Sequence, residues 1–258
     1  MVIELDPQAK LLLHNDRIDS FLANDWGVPP VQVEISPTNS CNARCPWCFY
    51  VSSEYKQHHT DSEIDYMVLS ETLILMRNFG VKAVTWTGGG DPSVYYKINE
   101  AADFVDRLGM KQGIFTNAYK PLANPESFAW IRVTVTEKNI ITKYVAEYAK
   151  RTKVGVNFNL CQENQHLLVD MLRKAKDAGV HYFQVRPALA DRHDLQEPVE
   201  FPGWLKEYET DTFKVYLTKY KWQDYLKPHG YSICYGHSFV PFLWFNGDLA
   251  VCAYHFGK

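Results

Sequence analysis

The sequence lacks any apolar run near the ~18 residues that a membrane-spanning helix needs, so none is expected in its 258 residues. It also lacks an excess of either charge: 27 basic residues stand against 30 acidic ones, leaving −3 at pH 7. A strongly basic nucleic-acid binder is thereby disfavoured. Cysteine is scarce. The six present, Cys41, Cys45, Cys48, Cys161, Cys234 and Cys252, are too few for a disulfide scaffold of this length. The opening Met1-Val-Ile-Glu-Leu-Asp-Pro7 has no basic region followed by an apolar stretch, so no secretory signal is apparent and the cytoplasm is the expected location. Low-complexity segments are missing too. What remains is an ordinary globular composition, 46% hydrophobic and 22% charged, which excludes global disorder. The length suits one large α/β domain, alone or with a small appendage.

From about residue 31 short β-rich runs alternate with helical patterns. Strands are expected at 31–38, 83–87, 113–117, 131–136, 154–160 and 182–187, with helices at 65–78, 97–108, 142–152 and 165–178. Gly80, Gly109 and Gly179 stand where helices should stop. Six strands in this rhythm imply parallel pairing with crossover helices. Six units fall short of a closed eight-stranded barrel, so the expected fold is a partial (β/α)6 barrel. Residues 11–26 read as an amphipathic helical cap, ended by Gly27 and Pro29-Pro30. Residues 204–220 read as a helix. Asn246-Gly247-Asp248 between two apolar runs marks a β-hairpin at 234–254. Three segments follow: a cap at 1–30, the barrel at 31–190 and an extension at 191–258.

Three cysteines fall within eight residues, in Cys41-Asn-Ala-Arg-Cys45-Pro-Trp-Cys48. Thiolates on one loop ligate zinc or an iron–sulfur cluster. A structural zinc site normally takes four protein ligands, and no histidine follows this loop until His58. Three ligands leave one coordination position open. Placed after a first strand in a parallel β/α domain, this C-x3-C-x2-C loop resembles that of the radical S-adenosylmethionine (radical SAM) superfamily. Trp47 supplies the aromatic residue which that motif prefers before its last cysteine. The run Thr87-Gly88-Gly89-Gly90-Asp91-Pro92 lies one β/α unit later, where the family places its methionine-binding glycines. The resemblance spans roughly residues 31–190.

The resemblance implies a [4Fe–4S] cluster on Cys41, Cys45 and Cys48, with one iron left free for S-adenosylmethionine. It implies reductive cleavage of that cofactor to a 5′-deoxyadenosyl radical, hydrogen abstraction from a bound substrate, and a reductant such as flavodoxin or ferredoxin. Trp47 would pack on the adenine. Gly88, Gly89 and Gly90 would let the backbone approach the methionine, and Asp91 keeps the carboxylate often supplied there by Glu. Asn117, Thr134 and Arg186 end the third, fourth and sixth strands, where contacts to the cofactor fall; each also suits a capped strand end.

Cys234, twelve residues, Gly247, four residues and Cys252 resemble the opening of the SPASM or twitch extension, which carries auxiliary iron–sulfur clusters. Further cysteines should follow Cys252, and none does. Cys234 and Cys252 are therefore candidates for a second cluster completed by His237, His255 or Cys161, or else two buried thiols. Cys161, just past the fifth strand, is a candidate catalytic hydrogen donor of the epimerase type. The charged run Asp191-Arg192-His193-Asp194 and the Lys/Tyr stretch 214–227 read as solvated surface. The SPASM likeness tilts the expected reaction toward a ribosomally synthesised peptide, epimerised or cross-linked. A small molecule such as a sugar or nucleotide is the alternative substrate. An iron–sulfur electron-transfer protein is the reading from another class, and it leaves the glycine turn without a purpose.

Overall fold

The β/α rhythm becomes one nine-stranded sheet in a computed structural model that describes residues 11–25, 27–45, 48, 60–135, 143–188, 200, 202–218, 232–251 and 253. The strands are β1 (Gln32–Ile35), β2 (Ala83–Trp86), β3 (Lys111–Thr116), β4 (Trp130–Thr134), β5 (Lys153–Leu160), β6 (Tyr182–Pro187), β7 (Lys214–Leu217), β8 (Phe242–Leu243) and β9 (Leu249–Ala250). The helices are α1 (Asn15–Leu22), α2 (Tyr66–Phe79), α3 (Ile98–Arg107), α4 (Lys143–Ala149) and α5 (Leu168–Asp177). The sheet order is β7-β6-β5-β4-β3-β2-β1-β8-β9. Every pairing is parallel except β8 with β9. Among the described residues no pairing joins β7 to β9. The sheet is an open, partial barrel.

Local chemistry explains why the elements start and stop. Asp65 caps α2 by accepting from the backbone N–H groups of Met67 (2.8 Å) and Val68 (3.2 Å). Gly80, at φ +108°, turns the chain out of the helix through the left-handed region. Strand side chains alternate between faces. One face carries Val33, Ile35, Val84, Trp86, Ile114, Ile131, Val133, Val156, Phe158 and Val185, all buried. Leu69 and Leu73 of α2, Ala101 and Val105 of α3, and Leu172 and Ala175 of α5 pack into the same core. The other face carries polar and aromatic residues, and it lines the inside of the partial barrel.

Two expectations change. The stretch expected as a helix at 204–220 is a 3-10 segment (Gly203–Tyr208) followed by β7, which pairs with β6; residues 219 and 220 lie outside the described set. Period two wins over helical spacing here, because Phe213 and Val215 are buried while Lys214 and Tyr216 are only half-buried. The hairpin forms as expected at Asn246-Gly247-Asp248, with Gly247 at φ +88° and its N–H donating to Trp244 O at 2.9 Å. Its first strand also does something more. β8 lies in parallel register beside β1, Glu34 opposite Phe242 and Ile35 opposite Leu243. The cap is shorter than expected: α1 spans Asn15–Leu22, and its Phe21 packs on Tyr235 and Phe239 with ring centroids 5.1 and 5.4 Å apart. Among the described residues no helix is long and apolar enough to cross a membrane.

Candidate functional site

The cysteine loop leaves the C-terminal end of β1, and the next two strands brace it. Gly90 N–H donates to Thr38 O (3.1 Å) and Asp91 N–H to Ser40 O (3.0 Å), so the turn after β2 pairs with the chain entering the loop. This contact is why Gly90 is a glycine: a Cβ there would fall onto the Ser40 carbonyl. At Gly89 a Cβ would come within 2.6 Å of Asn39 Oδ1, and at Gly88 within 3.0 Å of Ser36 Oγ. Gly90 is thus needed by the chain's own packing against the residue just ahead of Cys41, whatever else approaches it.

Asp91 ties the same turn to β3. Its carboxylate accepts from Ser93 N–H (2.9 Å), Ser93 Oγ (2.7 Å), Thr116 Oγ1 (2.9 Å) and the Asn117 backbone N–H. Four donors fill the acceptor capacity of one carboxylate. Burial pushes the Asp91 carboxyl up from its ordinary value, and those donors pull it back down. Asp91 therefore positions the turn. Asn117 reaches into the cysteine loop itself: its Nδ2 donates to Asn42 Oδ1 at 2.7 Å, and its Oδ1 accepts from Tyr119 N–H at 2.9 Å.

Cys41, Cys45 and Cys48 are half-buried, and Cys48 N–H closes a turn onto Cys45 O at 3.0 Å. Burial pushes the Cys41 thiol up to about 11, with Cys48 and Asp91 adding to the rise and the Ala43 N–H and Arg44 opposing it. Among the described residues no three His, Cys, Asp or Glu side chains converge tightly enough for a single metal ion. A four-iron cube holds its thiolates wider apart than a single ion does. An all-sulfur set from one turn suits such a cluster.

On the inner face, deeper in the barrel, Arg132 lies over the rings of Phe115 (5.0 Å), Trp130 (5.5 Å) and Tyr182 (5.7 Å) and donates to Tyr182 Oη at 3.1 Å. Gly113 and Gly155 leave room for Trp130 and Tyr182, which a Cβ would strike. Toward the C-terminal strand ends the face turns polar. Arg186 Nε donates to Asn159 Oδ1 (2.7 Å), and Asn157 Nδ2 donates to the same oxygen (3.1 Å). Thr134 stands opposite Asn157 across the β4–β5 register. Cys161 is buried past the end of β5, its Sγ 3.3 Å from Glu163 Oε2 and its N–H on Asn164 Oδ1 at 2.9 Å.

The structure thus gathers Cys41, Cys45, Cys48, Gly88, Gly89, Gly90, Asp91 and Asn117 into one cluster at the ends of β1, β2 and β3. Thr134, Arg186 and Cys161 stand on the farther strands. Cys234 is exposed near the 3-10 segment Gly236–Ser238. Trp47 and Cys252 lie outside the described residues, as do His58, His255 and residues 191–194. Missed from sequence were Asn42, Arg132, Asn157, Asn159 and Gln184. The alternation in Val156-Asn-Phe-Asn and Phe183-Gln-Val-Arg was the signal for the last three.

No known family model matches the chain. An uncharacterized protein of Archaeoglobus fulgidus is 36% identical over 84 residues, which make up 33% of this chain and 19% of that protein. The fold is that of SuiB from Streptococcus suis, a radical SAM enzyme, at a TM-score of 0.68 and 14% identity over 100% of this chain and 68% of SuiB. SuiB bound to S-adenosylmethionine gives 0.66 over 98% of this chain, and SuiB bound to the precursor peptide SuiA gives 0.66 over 96%. In both, the chain spans 65% of SuiB's length.

Proposed function

We propose that the chain is a radical SAM enzyme that acts on a ribosomally synthesised peptide. The observation that carries this reading is the bracing of the three-cysteine loop: Ser40, next to Cys41, is held by Asp91, and Asn42 by Asn117. Cys41, Cys45 and Cys48 would hold a [4Fe–4S] cluster. When bound, that cluster would supply the electron for reductive cleavage of S-adenosylmethionine, the source of a hydrogen-abstracting radical. The chain's own residues supply position and exclusion. Asp91 and Asn117 fix the loop against β2 and β3, and the inner face of the barrel shields the reacting centre from water. Thr134 and Arg186 offer polar contacts at the strand ends. Flavodoxin or ferredoxin would be the reductant, and Cys161 the hydrogen donor if the outcome is epimerisation. SuiB's binding of a precursor peptide supports a peptide substrate over a small molecule. Cys234 and Cys252 remain candidates for an auxiliary cluster.

The test is anaerobic reconstitution of the full chain, followed by assay for 5′-deoxyadenosine with dithionite as reductant. The wild type is expected to carry about four irons per chain, or about eight with an auxiliary site, and to cleave S-adenosylmethionine. Replacing Cys41, Cys45 and Cys48 together by Ala should remove the cluster of the loop and all cleavage. A loaded wild type that never cleaves S-adenosylmethionine would instead be the electron-transfer protein.

A further inference from the structure

Two buried acceptors stand side by side on the inner face of the barrel with nothing to accept. Asn157 Oδ1 and Gln184 Oε1 are both buried and have no hydrogen-bond partner among the described residues. Asn157 is 1% exposed. The two residues are register partners on β5 and β6, so their side chains leave neighbouring strands about 5 Å apart.

The polarity of Asn157 is fixed from outside. Arginine can only donate, so the 2.7 Å contact from Arg186 Nε makes the facing atom of Asn159 an oxygen. That oxygen also receives Asn157 at 3.1 Å, so the contacting atom of Asn157 must be its amide nitrogen. The free atom of Asn157 is then an oxygen. On the other strand Thr218 Oγ1 lies 3.3 Å from Val185 O and accepts from Gln184 Nε2 at 3.0 Å. The free atom of Gln184 is again an oxygen. The Asn157 amide cannot turn over to rescue itself, and a buried acceptor left unmade is destabilising.

We infer that Asn157 and Gln184 form a subsite for a nitrogen bearing at least two hydrogens, a primary amide or an ammonium, on the molecule that enters the barrel. A neutral pair of oxygens rejects a carboxylate or an ester carbonyl, which brings acceptors only. That this molecule is the substrate rests on the proposed function; the donor preference does not.

The test uses the full chain, reconstituted anaerobically, and follows the side-chain amide signals of Asn157 and Gln184 by NMR. Propionamide and propylammonium are the donor probes; propionate and methyl acetate are the acceptor-only probes. The donor probes should shift both signals, and the acceptor-only probes should not. Whichever donor binds tighter identifies the group as amide or ammonium. Gln184→Met should weaken the donors on the order of fivefold. Thr218→Val frees the Gln184 amide to turn over, so propionate should then gain on propionamide. Equal shifts from both probe classes, or a bound water that no probe displaces, would overturn the subsite. Cleavage of S-adenosylmethionine is assayed on the same preparation, so failure of the enzyme reading and failure of the subsite give separate results.

Discussion

Cys161 shows what surroundings do to one side chain. Burial pushes its thiol up to about 11, and the adjacent Glu163 carboxylate adds to the rise while the Asn164 contact opposes it. The shift is upward, so the group keeps its proton through neutrality and ionises only well above it. At pH 8 about one molecule in a thousand then carries the thiolate. A hydrogen-atom donor has to hold S–H rather than S⁻, and this environment does so. Iodoacetamide at pH 8 should therefore label Cys161 at least about tenfold more slowly than the exposed Cys234. Mass spectrometry of the alkylated peptides across pH checks this, with the Cys161 rate still climbing toward pH 11. Comparable rates at pH 8 would mean that the thiol is neither buried nor suppressed. At this scale the sequence exposed the cysteines through their spacing. Alternation could have set Asn157 and Gln184 on one face, but that their oxygens lack donors stays hidden until their neighbours are known.

Between β1, β2 and β3 the unit that matters is a pair of turns packed backbone to backbone. Gly90→Ala would drive a methyl group into the Ser40 carbonyl, where no flexible side chain can yield. The expected result is a loss of about 1–3 kcal/mol in stability together with reduced iron loading, because Cys41 follows Ser40 directly. Chemical denaturation and iron analysis of the reconstituted variant measure both. Normal loading with normal stability would show that the two turns do not lean on each other. The glycine run was legible in the sequence as a break in regular structure, and its order after the cysteines suggested a ligand. Its role as packing surface was not legible, because Ser40 meets it only after folding. β7 escaped for a different reason. Phe213-Lys-Val-Tyr-Leu carries too few residues to separate period two from helical spacing, and only its pairing with β6 settles which applies.

Across the whole molecule, the six expected strands run in unbroken order from β1 to β6, and the additions sit at the two ends of that series. The consecutive order was legible because each crossover is local and right-handed connection leaves few alternatives. The seat of β8 beside β1 was not, since about 200 residues of chain separate them and long-range pairing leaves no local trace. That pairing covers the strand which feeds the cysteine loop: Ser36 N–H donates to Leu243 O at 2.8 Å and Glu34 N–H to Pro241 O at 3.0 Å. Deleting residues 232–258 would strip these partners and leave β1 as an open edge. The shortened chain should aggregate on expression, as read by light scattering of the purified material; a monodisperse product would show that the hairpin is dispensable to the sheet.

The same pairing orders events in time. A ribosome makes β1 about 200 residues before β8, and domains gain structure as they emerge. The strand that carries the three-cysteine loop therefore stays half-partnered over that interval. Its hydrogen bonds to Pro241 and Leu243 form only once β8 has been made. Iron that arrived before β8 is made would meet thiols on an unfinished strand, whereas iron that arrived afterwards would meet a loop whose strand is held on both flanks.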